Sequence, residues 1–431
     1  MRTLTSPLHG QLWRNINIIF PHKWLCKRSP ASYLDLLKNI LSWAGDGGFR
    51  KIDIALNHDF LTQADFTLLL NASPRLEHLE VSDLYHFSLP SKEKIWNQLR
   101  HVTIDVDHFE PGQFPYRFLQ NAASSLEHLT FTFADVPDEW YDSEPLIPHL
   151  PKLKSLRIGG WEGGTPFSMY PFAIAFPRIE QLWMGPGLPD IDPGPVASWR
   201  DKWEGVWPHL KFINIYPDSG DEIRDIFGNN HYRLPASDVI RHSDLRNLRS
   251  VRSNHGMWIL PDRARIMLSK SIKNGQLTSF DITFPEYVPT RESSPGDLSV
   301  RHLKGYDWLR GAPSIHTLGL YSFHFLLDRR NYEDLPLPQF LATFPNLRTL
   351  RLSGGFVNEQ EIEEIEEDEF VSVIVAIMSV TRLKTIHMAM GFFGHNSETL
   401  RKLRKAAHLK GVQISTADDY YPEQWPIPLG P

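Results

Sequence analysis

Four acidic and imidazole side chains lie close together in the segment IDVDHFE, which is the part of this chain that most resembles a metal site. They are Asp105, Asp107, His108 and Glu110. Carboxylate and imidazole groups bind divalent cations, and alternate residues of a strand share one face, which would bring Asp105 and Asp107 together. Nothing else in the sequence marks a site, because the 19 histidines are scattered rather than spaced as HExxH. We therefore expect no bound metal.

Catalytic and cofactor motifs are missing from the sequence. It has no GxSxG turn for a serine nucleophile, no P-loop and no GxGxxG phosphate cradle. The single cysteine, Cys26, stands outside any nucleophile motif and fits a small buried apolar side chain better. We expect a protein that is not an enzyme and that holds no cofactor. Only a convergent site with a perturbed carboxylate or histidine would reverse this expectation.

Composition narrows the class of protein further. The chain has 431 residues, 41% of them hydrophobic and 22% charged, which is typical of folded proteins. A formal net charge of −6 provides no basic field for nucleic acid. The lone cysteine suits a reducing compartment. The first ten residues contain no apolar run of signal-peptide length, and the longest apolar stretch, Phe370 to Val380, is about half as long as a membrane span. We expect an intracellular protein, cytoplasmic or nuclear, that binds neither nucleic acid nor membranes.

One short pattern, LxxLxL, recurs along nearly the whole chain, and we number its six positions 1 to 6. Clear copies begin at Leu76, Leu99, Leu126, Leu153, Ile179, Leu210, Leu277, Ile315, Leu347, Leu383 and Leu409, and weaker ones at Phe49 and Leu248. First positions from 76 to 210 are 23, 27, 27, 26 and 31 residues apart, and later steps reach 38. These steps are close to the leucine-rich-repeat range of roughly 20–29 residues.

Each copy predicts a short strand, because alternate residues of a strand point to opposite faces. Leu79 and Val81, at positions 4 and 6, should enter the core, while His78 and Glu80 line the other face. Prolines before several copies should end the preceding helix. Helical spacing between copies is clearest in three sets of apolar residues: Leu34, Leu37 and Leu41; Phe66, Leu69 and Leu70; and Phe370, Val373, Ile374 and Ile377.

The pattern therefore predicts an α/β leucine-rich-repeat solenoid, with a curved parallel sheet inside, helices and loops outside, and irregular repeats of about 23–38 residues. We divide the chain into an N-terminal cap (residues 1–48), the solenoid (49–417) and a C-terminal tail (418–431). The tail either caps the last repeat or is a loose peptide motif, and we favour the cap.

The segment SPLHGQLWRNINI, residues 6–18, resembles the stretch that follows the F-box in fungal F-box proteins with leucine-rich repeats. That family's pattern, close to SPxLWxxIxI, is matched by Ser6, Pro7, Leu12, Trp13, Ile16 and Ile18, with two extra residues in between. With the repeats, the resemblance covers nearly the whole chain. It implies the substrate receptor of an SCF-type, cullin-based ubiquitin ligase, in which the F-box docks the adaptor and the solenoid selects an unknown target protein.

The sequence departs from the family in one important way. No LPxE-type helix precedes Ser6, so we expect the F-box to be missing and the ligase adaptor to bind only if an F-box exists upstream. The chain is then a truncated receptor or a descendant that only binds. The alternative is a stand-alone scaffold or binding solenoid with no role in ubiquitin transfer, which failure to bind the adaptor would favour.

Candidate binding residues follow from position, because receptors of this family recognise different targets. Arginine and tryptophan are enriched in interface hot spots, and they occupy position 5 in several copies. The candidates are Arg157, Trp183, Arg252 and Arg351 at position 5, with Trp161, Tyr216 and Trp258 at or beyond strand ends. The alternatives are that the aromatic residues pack under loops and that the arginines are solvated or paired surface charges. Residues 186–206 and 285–300 read as surface loops that often carry recognition.

Overall fold

A computed structural model describes the repeat core of the chain and part of its connections. The described residues are 14–18, 30–55, 62–82, 88–90, 95–106, 115–133, 147–160, 174–184, 207–215, 247–253, 261–283, 303, 305–321, 332–334, 336–353, 367–389, 398–417 and 425–428. They belong to two compact units. The first contains Met1–Trp207 and Asp218–Pro235, and the second contains Pro208–Pro217 and Ala236–Pro431.

In the first unit, the described strands are all parallel and follow one another in sequence order. They are β1 (Asn15–Ile18), β2 (Lys51–Ala55), β3 (His78–Ser82), β4 (His101–Val106), β5 (His128–Phe133), β6 (Ser155–Gly160) and β7 (Gln181–Met184). The helices are α1 (Pro30–Ala44), α2 (Gln63–Asn71) and α3 (Tyr116–Ala122).

The second unit repeats this arrangement with parallel strands in sequence order. They are β8 (Phe212–Ile215), β9 (Ser250–Ser253), β10 (Ser279–Thr283), β11 (Thr317–Tyr321), β12 (Thr349–Ser353), β13 (Thr385–Ala389) and β14 (Gln413–Ala417). The helices are α4 (Pro261–Lys273), α5 (Pro336–Ala342), α6 (Glu367–Val380) and α7 (Glu398–Lys410), with 3₁₀ turns at Asp307–Leu309 and Tyr332–Asp334. The predicted α/β class with a parallel sheet is confirmed.

Strand register confirms the predicted alternation. In β3, Leu79 and Val81 are fully buried, whereas His78, Glu80 and Ser82 are partly exposed. Equal repeat positions lie side by side on neighbouring strands, as His78 does with His101. The weak copy at Leu248 is confirmed too, because Ser250 pairs with Ser279, which is position 3 of the next copy. We call the sheet face opposite the core, which carries positions 3 and 5, the polar face of each unit.

The predicted copy at Leu409 is wrong by two residues. Leu409 belongs to α7 and is 79% exposed, so it is not a core position. The strand that follows places Ile414 beside Ile386, which is position 4 of the preceding copy. Helix α7 ends at Lys410, and Gly411 takes a positive φ of 68° that favours glycine. Leu409, in the last turn of α7, therefore matches the first position of LxxLxL by sequence although it is helical.

Backbone hydrogen bonds at the start of each strand hold this register. The carbonyl of Arg50, at position 2, accepts from the N–H groups of Glu77 and His78 in the next copy, at 2.7 and 2.9 Å. The same double acceptance recurs down both units, for instance at Arg348, which accepts from Lys384 and Thr385. Because both donors belong to the following copy, each strand start is fixed by its neighbour.

Buried serines between the copies satisfy further backbone groups. The Ser125 hydroxyl hydrogen-bonds the carbonyls of Trp96 and Leu99, at 2.6 and 2.8 Å. Ser73 accepts from the N–H of Phe49 at 3.1 Å, and Ser271 donates to the carbonyl of Leu248. In each case the serine ties its own copy to position 1 of the preceding one.

Helices cover the core side where apolar spacing predicted them. Helix α2 begins with a capping box, in which Thr62 and Asp65 satisfy each other's backbone N–H groups. Its buried residues are Phe66, Leu69 and Leu70, and Phe370, Val373, Ile374 and Ile377 of α6 are buried in the same way. Within the described part of the chain, no helix is long and apolar enough to cross a membrane.

Candidate functional site

Three histidine rings form a stacked row on the polar face of the first unit. His78, His101 and His128 occupy position 3 of β3, β4 and β5. The ring centroids of His78 and His101 are 5.3 Å apart, and those of His101 and His128 are 4.3 Å apart, with planes within 22° of parallel. All three are partly exposed, so we call them the histidine ladder, a rigid and accessible strip.

Two imidazoles of the ladder, those of His101 and His128, have lowered pKa values and therefore favour the uncharged form. Burial, and then the neighbouring His101, lowers the pKa of His128 to about 4. Burial, and then His78, lowers the pKa of His101 as well. Stacked imidazoles cannot readily share positive charge, because like charges at this distance repel. The Nδ1 atom of His128 lies 2.6 Å from the hydroxyl oxygen of Ser155, which orients the ring.

Carboxylates lie beside one end of the ladder. Asp53 and Glu80 occupy position 5 of β2 and β3, next to each other in the sheet. Burial, and then the charge of Glu80, raises the pKa of Asp53. The imidazole of His78, 3.6 Å from Glu80, lowers the pKa of that carboxyl. The side-chain amide of Asn17 in β1 donates to Asp53 at 2.9 Å and orients it.

Charges alternate along position 2 from β2 to β7 of the first unit. The successive residues are Arg50, Glu77, Arg100, Glu127, Lys154 and Glu180. Two ion pairs join neighbouring copies, Arg50 with Glu77 at 3.2 Å and Lys154 with Glu127 at 2.6 Å. Ion pairs exposed to solvent in this way contribute little stability, so the alternation mainly gives the rim of this face a mixed charge.

The other end of the ladder carries a cation–π pair. The guanidinium carbon of Arg157 in β6 lies 5.3 Å from the ring centroid of Trp183 in β7. Trp183 is only 3% exposed, whereas Arg157 is partly exposed. The structure therefore brings together these two sequence-predicted candidates, with the arginine as the accessible member.

The polar face of the second unit is built around a buried ion pair. Arg351 of β12 and Asp281 of β10 are 7% and 4% exposed, and their side chains form a charge-assisted hydrogen bond. The two residues lie two strands apart, because Gly319 of β11 stands between them in the register. Since glycine has no side chain, Arg351 reaches across β11. It also donates to the Ser279 hydroxyl at 3.1 Å.

An aromatic cluster occupies the first strands of the second unit. The guanidinium carbon of Arg252 in β9 lies 5.8 Å from the ring centroid of Phe212 in β8. The Trp425 ring lies 6.0 Å from the same phenylalanine, tilted by 59°. Phe212 occupies position 3 and is fully buried.

Several predicted residues lie outside the described residues. They are Trp161, Tyr216, Trp258, Cys26, Asp107, His108, Glu110, Ser6, Pro7, Leu12 and Trp13, together with the segments 186–206 and 285–300. Asp105 is described, and its carboxylate accepts a hydrogen bond of 2.6 Å from the Thr132 hydroxyl. No group of three or more metal-ligating side chains is found within the described ranges.

The histidine ladder was missed by the sequence reading, although its signal is visible. The copies LEHLEV, LRHVTI and LEHLTF each carry histidine at position 3. The predicted binding residues lie at position 5 or at and beyond strand ends, whereas position 3 shares the polar face with position 5.

Comparison with models of known protein families and with curated proteins finds no match to this sequence.

Proposed function

We propose that this chain is a leucine-rich-repeat solenoid that recognises another protein through the polar face of its first unit. The observation that carries the proposal is the histidine ladder flanked by carboxylates at Asp53 and Glu80 and by the Arg157–Trp183 pair. This strip spans β2 to β7, about 24 Å at the usual strand spacing of ~4.8 Å. Its side chains are fixed by stacking and hydrogen bonds, which lowers the entropic cost of binding.

The chemistry of the strip favours a polar partner surface. The imidazoles of His101 and His128, which favour the neutral form, both donate and accept hydrogen bonds and offer flat faces for packing. A partner with basic groups over Asp53 and Glu80, and a carboxylate near Arg157, would match the charges at the two ends.

Site-directed photo-crosslinking in extract of the host cell tests this proposal. A crosslinker replaces Thr103, a partly exposed position-5 residue of β4, and the matched control carries it at the exposed Leu68 of α2. We expect a protein captured at residue 103 but not at residue 68. The purified partner should then bind His101→Ala and Arg157→Ala at least about tenfold more weakly than wild type. An exposed-arginine control, Arg178→Ala, should bind within about twofold. Equal losses in all three variants would exclude this face.

We further propose that the bound protein is a target of an SCF-type ubiquitin ligase. The support is the resemblance of residues 6–18 to the segment after a fungal F-box; the last four of these form β1, which pairs with β2. Co-purification with the ligase adaptor tests it, using this chain beside a version extended by the codons upstream of Met1. Retention of the adaptor by the extended version supports a receptor. Retention by neither leaves a stand-alone binding solenoid.

A further inference from the structure

The polar face of the second unit is covered at its first strands. Phe212 and Asn214, at positions 3 and 5 of β8, are both 0% exposed, and Ser250 of β9 is buried. At position 3 in the first unit, His78 and His101 are partly exposed. A side chain on a sheet face becomes fully buried only when other atoms pack over it. Some group therefore occupies this end of the polar face.

Part of the covering group is the C-terminal segment of the same chain, residues 425–428. Trp425 contacts Phe212 in the tilted geometry that aromatic pairs favour, with ring centroids 6.0 Å apart. Arg252 places its guanidinium over the same phenylalanine ring. Trp425, Pro426 and Ile427 are partly buried, whereas Pro428 is exposed. The segment follows β14, the last strand of the unit, and yet it contacts β8, the first.

The chemistry of this segment suits a docked peptide. Its sequence, WPIP, combines a large aromatic anchor with two prolines. A buried tryptophan contributes a large apolar area with few rotatable bonds. Proline lacks a backbone N–H and has a fixed φ, so docking leaves fewer donors to satisfy and loses less chain entropy.

Electrostatic attraction also favours docking of the C-terminal segment on the second unit. Three acidic residues lie between β14 and Trp425 in the sequence, Asp418, Asp419 and Glu423. Position 2 is mostly basic from β8 to β13 and carries no carboxylate there, since it reads Lys211, Arg249, Thr278, His316, Arg348 and Lys384. Opposite charges raise the rate of association and make it sensitive to salt.

We propose that residues 425–428 are an internal ligand of the polar face of the second unit, seated on Phe212 and Arg252. The site takes peptide segments of one chemistry, a tryptophan followed by proline and aliphatic residues, and the chain's own segment holds it at rest. An external peptide must displace this segment, which has the advantage of a high effective concentration. The inference concerns a contact within one chain and does not depend on the proposed function of the first unit.

A competition experiment with the full chain tests the proposal. The probe is a fluorescent peptide of residues 417–431, ADDYYPEQWPIPLGP, and its binding is followed by anisotropy. The Trp425→Ala chain should bind it at least about tenfold more tightly than wild type, because the internal ligand is weakened. The matched control is Trp43→Ala, which removes a 43% exposed tryptophan from α1 and should bind the peptide as wild type does.

Three further tests separate docking from a change in folding. A peptide with alanine in place of tryptophan should fail to bind the Trp425→Ala chain. Adding Arg252→Met to that chain should weaken peptide binding by about threefold or more. Amide exchange in β8 and β9 should accelerate in Trp425→Ala but not in Trp43→Ala. Equal binding by all the full chains, or equal binding of the alanine peptide, would overturn the proposal.

Discussion

At position 3 of the repeat, β3, β4 and β5 of the first unit carry His78, His101 and His128, whereas β10 to β13 of the second unit carry Ser279, Thr317, Thr349 and Thr385. The large rings stack between adjacent strands, at 4.3 and 5.3 Å. Small side chains, together with Gly319, instead leave room for Arg351 to reach Asp281 two strands away. The same parallel strand pairing therefore occurs beneath two kinds of polar face, and the volume of the position-3 and position-5 side chains determines which kind forms.

The two units also differ in how their charged side chains are paired. From β2 to β7 of the first unit, position 2 alternates in sign, with exposed pairs such as Arg50 and Glu77. The Arg351–Asp281 pair on the polar face of the second unit is buried. Exposed pairs tune what the surface attracts, while a buried pair that loses one partner leaves an uncompensated charge in the interior. Removing one partner should therefore lower the free energy of unfolding much more for the buried pair than for an exposed pair.

The largest effect is expected when the buried pair is broken. Asp281→Asn leaves the Arg351 charge buried without its counter-ion, so the free energy of unfolding should fall by about 3–5 kcal/mol. The matched substitution in the first unit, Glu77→Gln, removes a partner from an exposed pair and should cost less than about 1 kcal/mol. Urea denaturation followed by circular dichroism measures both.

The glycine between the paired strands offers an independent way to break the ion pair. Gly319→Leu places a side chain between Arg351 and Asp281 and should also destabilise the second unit by several kcal/mol, on the order of a buried-pair loss. If Asp281→Asn and Glu77→Gln cost the same, the proposed difference between the units is wrong.

The next largest effect is expected when a glycine with a positive φ is replaced by alanine. Gly48 and Gly275 have φ of 60° and 67°. A Cβ on Gly48 would lie 2.1 Å from the carbonyl oxygen of Ala72, whereas one on Gly275 would meet no atom within 4 Å. Gly48→Ala should cost about 3 kcal/mol and Gly275→Ala about 1 kcal/mol, the second reflecting backbone strain alone. Equal shifts in the urea midpoint would show that the contact at Gly48 relaxes freely.

A smaller effect should appear on acidification, through His128 of the first unit's histidine ladder. The pKa of folded His128 is about 4, below the unfolded value near 6.5, so acid favours the unfolded state, which binds the proton first. The contribution of His128 to the free energy of unfolding is fully present above about pH 6.5 and is lost as the pH falls towards 4. With partial solvent screening, we expect a loss of about 1–2 kcal/mol over this range.

The variant His128→Gln should flatten this dependence, because glutamine does not titrate. Urea denaturation of both chains at pH 7.5, 6 and 5 gives the slopes. A slope identical to wild type would rule out His128 as its source.

The smallest effect is expected at the cation–π pairs that Arg157 and Arg252 form on the polar faces. Coupling between Arg157 and Trp183 should be about 0.5–1 kcal/mol, and that between Arg252 and Phe212 should be smaller, because indole attracts cations more strongly than a phenyl ring. Double-mutant cycles with Arg→Met and aromatic→Leu substitutions isolate each coupling. A reversal of this order would mean that other neighbours of Arg252 dominate.

Much of the fold follows from the sequence, because LxxLxL places buried residues with a period of two and fixes which face each strand buries. This reasoning identified the register at Phe49 and Leu248 as well as in the clear copies. It failed at Leu409, because this apolar residue belongs to the end of α7 and also fits the first position of LxxLxL. Strand β1 was assigned only to a cap, although Ile16 and Ile18 alternate as the repeat requires.

The polar faces were less predictable than the core. Arg351 was selected as an arginine on a strand face, but its burial depends on Gly319 and Asp281, and the partners Arg351 and Asp281 are 70 residues apart. The ladder depends on three equal positions in successive copies, a relation visible only after the copies are aligned. A contact between Trp425 and Phe212 has no sequence signal, because no periodicity links them.

The doubly accepting carbonyl at position 2 also bears on how such a chain can diversify. It fixes each strand start from the preceding copy alone, so the length of the segment in between does not enter the register. Copies whose first positions are 23 residues apart and copies 38 residues apart accordingly start their strands with the same backbone hydrogen bonds. Insertions between copies are therefore nearly neutral for the sheet, and descendants of this gene can gain new surface loops while inheriting an unchanged scaffold.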